Sequence, residues 1–365
     1  MFSWMARMAA ACWRPVRRYA RMSKDEEEDD ALLWSRDVER HSGGIPRGLQ
    51  PGRNRARRYF RGIYDGHGGP DASRFISDHL FVHLMRLARE GGTISEDIIR
   101  RAFSATEEGF LALVRRTHEI KPLMAAVGSC CLVGIIWKGT LFAANLGDSR
   151  AVVGRLGRSN AIIAEQVTEE HNASLESVRR ELMASHPDDS HIVVLRQGVW
   201  RIKGIIQIYR RCVLEEARIP RRSIVPRFRL PEPLRRPVLT AEPAISVRVL
   251  RPQDKFLIFA SDGLWEHLTN QEAAELVHKY PRAGIARRLV RRALEEAMRK
   301  REMRYEDLKK IKKEARRFFH DDITVVVVFI DSEFSPGQTA GGCQMSVRGF
   351  VDSAGPSEFS ILDGM

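Results

Sequence analysis

Cysteine is scarce in this 365-residue chain, and the five present (Cys12, Cys130, Cys131, Cys212, Cys343) form no CxxC pair and no Cys/His spacing. That excludes a disulfide framework and a zinc site of the usual ligand pattern, and it fits a reducing compartment. No apolar run approaches the roughly 20 residues of a membrane span; the longest near the N-terminus, Met8 to Trp13, is far shorter. Acidic residues are missing from two stretches, before Asp25 and from Arg40 to Tyr64, and Arg47, Arg53, Arg55, Arg57, Arg58 and Arg61 crowd the second. No internal repeat is visible.

What is present describes a folded, enzyme-sized α/β protein. Hydrophobic residues make up 43% and charged residues 29%, enough apolar material for a core and too much for global disorder. The net charge of +13 suits acidic partners such as phosphopeptides or anionic lipid. Without a recognisable nucleic-acid module it gives no reason to expect nucleic-acid binding. For the basic N-terminal segment, with Trp4 and Trp13 among arginines, three readings stand: an amphipathic membrane-surface contact, an organelle transit peptide, or a mobile tail.

The organisation expected is a basic tail and acidic linker over 1–30, a divergent lead-in over 31–58, a folded domain over 59–331, and a Gly- and Ser-rich tail without regular structure over 332–365. Strand signals fall on Tyr59 to Asp65, Cys130 to Trp137, Thr140 to Asn145, Ala151 to Gly154, Ile192 to Leu195, Gly204 to Tyr209, Lys255 to Ala260 and Thr324 to Ile330. Lys138-Gly139 marks a hairpin. Helices are expected over Pro70 to Arg89, Ser95 to Thr117, Ser174 to Met183 and, with a break near Pro281, Gln271 to Phe319. Pro220 to Pro243 reads as an irregular excursion.

Three aspartates share one local setting. Asp65 closes an apolar strand before Gly66-His67-Gly68-Gly69, Asp262 closes another before Gly263, and Asp321 stands just ahead of a third. Asp148 follows a similar strand in Gly147-Asp148-Ser149-Arg150. Singly, each fits a turn or helix cap. Together they put carboxylates where strand ends meet at one rim of a sheet, the oxygen-rich setting that suits Mg²⁺ or Mn²⁺. The glycines after Asp65 leave room for a backbone carbonyl and a phosphate, and His67 among them is placed for proton transfer near neutral pH. Cys130 and Cys131 read as small buried hydrophobes.

Tyr64-Asp-Gly-His-Gly-Gly69, Ala144-Asn-Leu-Gly-Asp-Ser-Arg-Ala-Val-Val153, Ala260-Ser-Asp-Gly-Leu-Trp-Glu266 and His320-Asp-Asp-Ile-Thr-Val325 stand in an order that resembles the signature motifs of the type 2C, metal-dependent serine/threonine protein phosphatases. Segments such as Glu169-Glu-His-Asn-Ala-Ser174 are similar to one plant clade of that family. The resemblance implies an α+β fold, a four-layer αββα sandwich of two antiparallel sheets flanked by helices. It also implies a Mg²⁺/Mn²⁺ centre at one end, phosphoprotein substrates, a monomer and an intracellular setting. On the matching positions, Asp65 bridges two ions and the Gly66 carbonyl binds one. Asp262 and Asp321 hold the other, Asp148 helps hold a third, and His67 protonates the leaving oxygen.

Two stretches depart from the family pattern. Upstream of the first motif, family members carry a strand with a phosphate-binding arginine and a Glu-Asp pair; here Ile45 to Arg58 contains no carboxylate. After Gln207, Ile208 to Ala217 replaces a Ser-Arg-Ser-Ile-Gly-Asp type segment. The expectation is therefore a phosphatase with one ion held well and a second held poorly, the alternative being a catalytically impaired phosphatase-fold binding protein.

Overall fold

The computed structural model describes residues 59–117, 119–204, 206–207, 240–303, 307, 311, 319–333 and 344–348. In chain order its elements are β1 (Tyr59–His67), α1 (Asp71–Glu90), α2 (Glu96–Thr117), β2 (Gly128–Trp137), β3 (Thr140–Leu146), β4 (Arg150–Leu156) and β5 (Ile162–Gln166). There follow α3 (Glu176–Ser185), β6 (Val193–Arg196), β7 (Val199–Ile202), β8 (Ala244–Val249), β9 (Asp254–Ala260), α4 (Asp262–Trp265), α5 (Asn270–Lys279), α6 (Ile285–Arg299), β10 (Val325–Glu333) and β11 (Gln344–Arg348).

One antiparallel sheet runs β1-β2-β3-β8 and a second runs β11-β10-β9-β4-β5, with β6 and β7 as a separate hairpin. The alternation of side chains along each strand decides which layer each residue joins. In β2, Cys131, Val133 and Ile135 meet Leu80, Leu84, Ile99 and Phe103 of α1 and α2, whereas Leu132 and Ile136 point into the gap between the sheets. In β9, Leu257 and Phe259 enter the same gap, and Phe256, Ile258 and Ala260 pack on Ala273, Val277, Leu289 and Ala293 of α5 and α6. The result is helix, sheet, sheet, helix, the four-layer α+β sandwich expected. Both faces of the inner strands are covered, which is why they read in sequence as unbroken apolar runs.

Local chemistry sets the joints. Lys138 (φ 49°) and Gly139 (φ 77°) make the tight β2–β3 turn that a two-residue hairpin needs. Thr269 accepts a hydrogen bond from the Glu272 N–H while the Glu272 carboxylate accepts one from the Thr269 N–H, a reciprocal cap that starts α5. In α6, Ile285, Leu289, Ala293 and Ala297 form the buried stripe and the arginines between them face outward. The free edge of β5 is covered by one side chain: Gln271 accepts from the Ala164 N–H at 3.0 Å and donates to the Ile162 carbonyl at 2.9 Å.

Several boundaries differ from the sequence expectation. β1 does not stop at Asp65 but continues through Gly66 to His67, because Gly128, Ser129 and Cys130 of β2 pair with all three positions. β5, β7 and β8 were not expected; each is short and lies beside a turn or proline. The region after Asp331 is not wholly irregular, since β10 extends to Glu333 and β11 pairs with it from Phe329↔Arg348 to Glu333↔Gln344. The basic tail, the lead-in, the Ile208 to Ala217 departure and most of the Pro220 to Pro243 excursion lie outside the described residues.

Candidate metal centre at one end of the sandwich

Strand register brings the aspartates to one rim. Asp65 is paired with Cys130 across β1 and β2, and Cys131 with Leu146 at the end of β3. In the other sheet Ala260 is opposite both Arg150 and Val325, so the start of β4, the end of β9 and the start of β10 lie abreast. Asp148 sits in the crossover from β3 to β4, Asp262 opens α4 directly after β9, and Asp321 precedes β10 by four residues. The antiparallel order thus delivers to a single end carboxylates from four distant parts of the sequence.

The crossover has little freedom. Gly147 takes φ 108°, where side-chain-bearing residues are strained, and a Cβ there would lie 2.4 Å from the Cys130 sulfur. Buried Asn145 ties the loop by donating to the carbonyls of Gly147 (3.3 Å), Ser149 (3.0 Å) and Glu169 (2.7 Å). Asp148 is then aimed by two donors: the Cys130 thiol to Oδ1 at 3.3 Å and the Asn172 amide to Oδ2 at 2.8 Å. Burial, followed by the charge of Asp148, pushes the Cys130 thiol well above its ordinary range, so it stays protonated and able to donate.

On the opposing side, Ser261 stitches α4 to the β10 lead-in. Its hydroxyl donates to the Asp322 carbonyl at 3.0 Å and accepts from the Thr324 N–H at 2.9 Å. Gly263 permits that approach, since a Cβ there would meet the Asp322 carbonyl oxygen at 2.5 Å. Asp321 Oδ1 accepts from the Asp322 N–H at 2.8 Å, and its carbonyl accepts from His320 Nδ1–H, also at 2.8 Å. Arg150 bonds Glu170 and Asn270 and lies over the Trp265 ring, 5.1 Å from its centroid.

Asp262 is the electrostatic focus. Burial first, then the charges of Asp148, Asp65, Asp321 and Glu266, raise its carboxyl from an ordinary 3.8 to about 8. Glu266 is raised too, by burial and by Asp321 and Asp148. His67, the last residue of β1, is half-buried at the same end, opposite Gly128.

The sequence pattern of the protein phosphatase 2C family matches residues 34–302. The chain belongs to the protein phosphatase 2C family. It is 60% identical over 387 aligned residues to a probable protein phosphatase 2C 43 from Oryza sativa subsp. japonica, with all of both chains covered. It is 57% identical over 391 residues to a probable protein phosphatase 2C 68 from Arabidopsis thaliana, covering 99% of this chain and all of that one. Its fold is shared with a crystal structure of serine-threonine phosphatase 2C from Toxoplasma gondii (TM-score 0.54, 17% identity, 77% of this chain and 87% of that one). As a family member it is a serine/threonine protein phosphatase, and phosphoproteins are its class of substrate.

Sequence reasoning passed over three groups at this end of the phosphatase. Glu266 lay inside a quoted motif but was given no role. Cys130 was read as a small hydrophobe; it is buried, yet its thiol bonds Asp148, a contact set by cross-strand register. Asn172 carried no local signal beyond its place in a family-like segment. The donor set fits a hard divalent cation: oxygen ligands only, and a buried Asp262 Oδ1 with no hydrogen-bond partner. Among the described residues no three His, Cys, Asp or Glu side chains stand close enough to hold an ion by themselves. That spacing suits ions that keep several waters and take few direct carboxylates.

Proposed function

We propose that this phosphatase hydrolyses phosphoserine and phosphothreonine esters at a Mg²⁺ or Mn²⁺ centre held by Asp65, the Gly66 carbonyl, Asp148, Asp262 and Asp321, with His67 as the proton donor. The observation that carries the reading is the Asp262 Oδ1 atom, buried without a hydrogen-bond partner beside four other carboxylates. An acidic cluster of this kind is stable when cations offset it. When bound, divalent ions supply charge neutralisation at the phosphoryl group and a nucleophile at neutral pH.

The chain's own groups do the rest. Cys130 and Asn172 hold the Asp148 carboxylate in one orientation. The Ser261 hydroxyl locks Asp262 and Asp321 in adjacent backbone segments. His67, at the end of β1, gives a proton to the departing serine or threonine oxygen, a poor leaving group that needs one. Thermal unfolding with and without Mn²⁺ tests the centre without needing turnover: the parent should melt higher with the ion, and Asp262→Asn should lose that response. An undiminished response in Asp262→Asn would remove Asp262 from the ligand set.

A second reading, a phosphatase of weakened catalysis that chiefly binds its phosphoprotein, is favoured by the absence of any carboxylate from Ile45 to Arg58. The 387-residue alignment with the rice relative is also longer than the 365-residue chain, so it opens gaps in this chain. Calorimetric titration with Mn²⁺ separates the two: one tight site and a demand for high Mn²⁺ supports the weakened form, and two tight sites with fast turnover supports the full enzyme.

A further inference from the structure

At the opposite end of the same strands the charge reverses. β4 begins beside the aspartates at Arg150 and ends at Leu156, so its far end is about 20 Å away at the rise of a strand. There a cleft of about 740 Å³ is lined by Arg155, Leu156, Arg158, Ile163, Arg251 and Gln253, with Gly157 at its wall. The register between β4 and β9 slips between Gly154 and Arg155, an irregularity that breaks the strand's alternation and re-aims the arginine. The Arg155 Nε atom is buried and has no hydrogen-bond partner. A guanidinium donor left buried and unmatched is costly unless a ligand completes it.

The carboxylates nearby are already engaged. Arg248 takes Asp254 at 3.0 Å and Glu165 at 2.8 Å. No ion pair among the described residues involves Arg155, Arg158 or Arg251, so these three leave a local positive excess. Ile163, 42% exposed, gives the cleft an apolar wall.

We propose that this cleft is a docking site for an acidic, oxyanion-bearing segment of a protein, placed to hold a phosphoprotein substrate at a distance from the residue being dephosphorylated. The proposal rests on the phosphatase reading for its purpose but not for its binding chemistry. Guanidinium groups take carboxylate and phosphate oxygens in a fork geometry, and three of them around a cleft this size match a stretch of peptide better than a single small anion. Acidic side chains and phosphoserine present the same chemistry, and both are protein-borne.

The direct test is fluorescence anisotropy of a labelled, unphosphorylated Glu/Ser peptide with the full chain. Arg155→Gln/Arg251→Gln should weaken binding at least about 10-fold, while Arg86→Gln/Arg89→Gln on α1, which removes the same charge, should not. If the first variant fails to fold, Arg158→Gln/Arg251→Gln at two exposed positions takes its place. Equal losses in the cleft and α1 variants, or no loss in the cleft variants, overturn the proposal. Displacement of the peptide by inorganic phosphate at a matching concentration also overturns it, in favour of a free-anion site, as does preference for DNA or anionic vesicles over the peptide. In a kinetic arm, a phosphoserine peptide with an acidic stretch should show a KM raised by the cleft substitutions and an unchanged kcat, and a peptide without the stretch should show neither change. If the parent hydrolyses neither peptide, the catalytic reading falls, and anisotropy alone still decides the docking proposal.

Discussion

The two ends of the sandwich are built from the same strands and solve opposite electrostatic problems. At one end Asp65, Asp148, Asp262, Asp321 and Glu266 crowd together, and burial raises the cost of charging Asp262 and Glu266. At the other, fully buried Asp254 is matched by Arg248, which also reaches Glu165, and these three groups satisfy one another within the chain. The first arrangement is incomplete without a partner from solution. In the second, the Asp254, Arg248 and Glu165 group is complete, while the flanking Arg155, Arg158 and Arg251 leave positive charge for a partner. The two ends thus call for partners of opposite charge.

The largest effect expected is at the satisfied end. Asp254→Ala leaves the part-buried Arg248 with Glu165 alone and removes an acceptor for the Arg251 N–H (2.9 Å), and should cost about 3 kcal/mol in urea unfolding with an unchanged m value. A cost under about 1 kcal/mol would mean that Arg248 finds solvent easily and the ends are less different than drawn. At the acidic end, His67→Gln should slow hydrolysis of alkyl phosphoserine by about 100-fold and of an aryl phosphate much less. Equal losses on the two substrates would remove the proton-donor role. Cys130→Ala deletes the thiol that orients Asp148; a stability loss of about 1 kcal/mol, together with weaker Mn²⁺ binding in calorimetry, is expected.

The ends also contrast in pH response. Glu165 is held below its ordinary value, mainly by the hydrogen bond from Arg248. Its contribution is therefore full above the unfolded-state value and lost as pH falls through the lowered folded one. Asp262 in the metal-free protein is raised to about 8, mainly by burial, so its contribution is full below 3.8 and lost as pH rises through about 8. In chelator, Glu165→Gln should remove a rise of stability with pH below about 4.5, and Asp262→Asn should remove a fall of stability with pH between 3.8 and about 8. If both variants change the slope of stability with pH in the same direction, the opposition between the ends is wrong.

The parts of the molecule that could be read in advance are those where burial on both faces forces composition. Cys130 to Trp137, Lys255 to Ala260 and Thr324 to Ile330 admit few alternatives to inner strands, and Lys138-Gly139 demands a turn. The edges were opaque. Ile162–Gln166 mixes exposed and buried positions over five residues, Ala244–Val249 follows directly on a proline, and Gln344–Arg348 sits in a Gly- and Ser-rich context. Glycine after Asp65 suggested the end of a strand, whereas pairing with β2 carries it two residues further. The recurrence of Asp after apolar runs marked the rim where carboxylates gather. Cys130 and Asn172 were out of reach because their roles depend on which residues lie across from them, and register is a property of the folded sheet.

The Gln271 side chain on the rim of β5 has a consequence for solutions of this protein rather than for single molecules. An uncovered outer strand is a template on which a second chain can lay its own, and self-association of that kind rises with concentration. By filling the N–H of Ala164 and the carbonyl of Ile162, one amide denies a newcomer its first two rungs. Gln271→Ala should leave turnover intact and shift sedimentation toward larger species as the protein is concentrated; a monomeric profile throughout would show that the rim is guarded by something else.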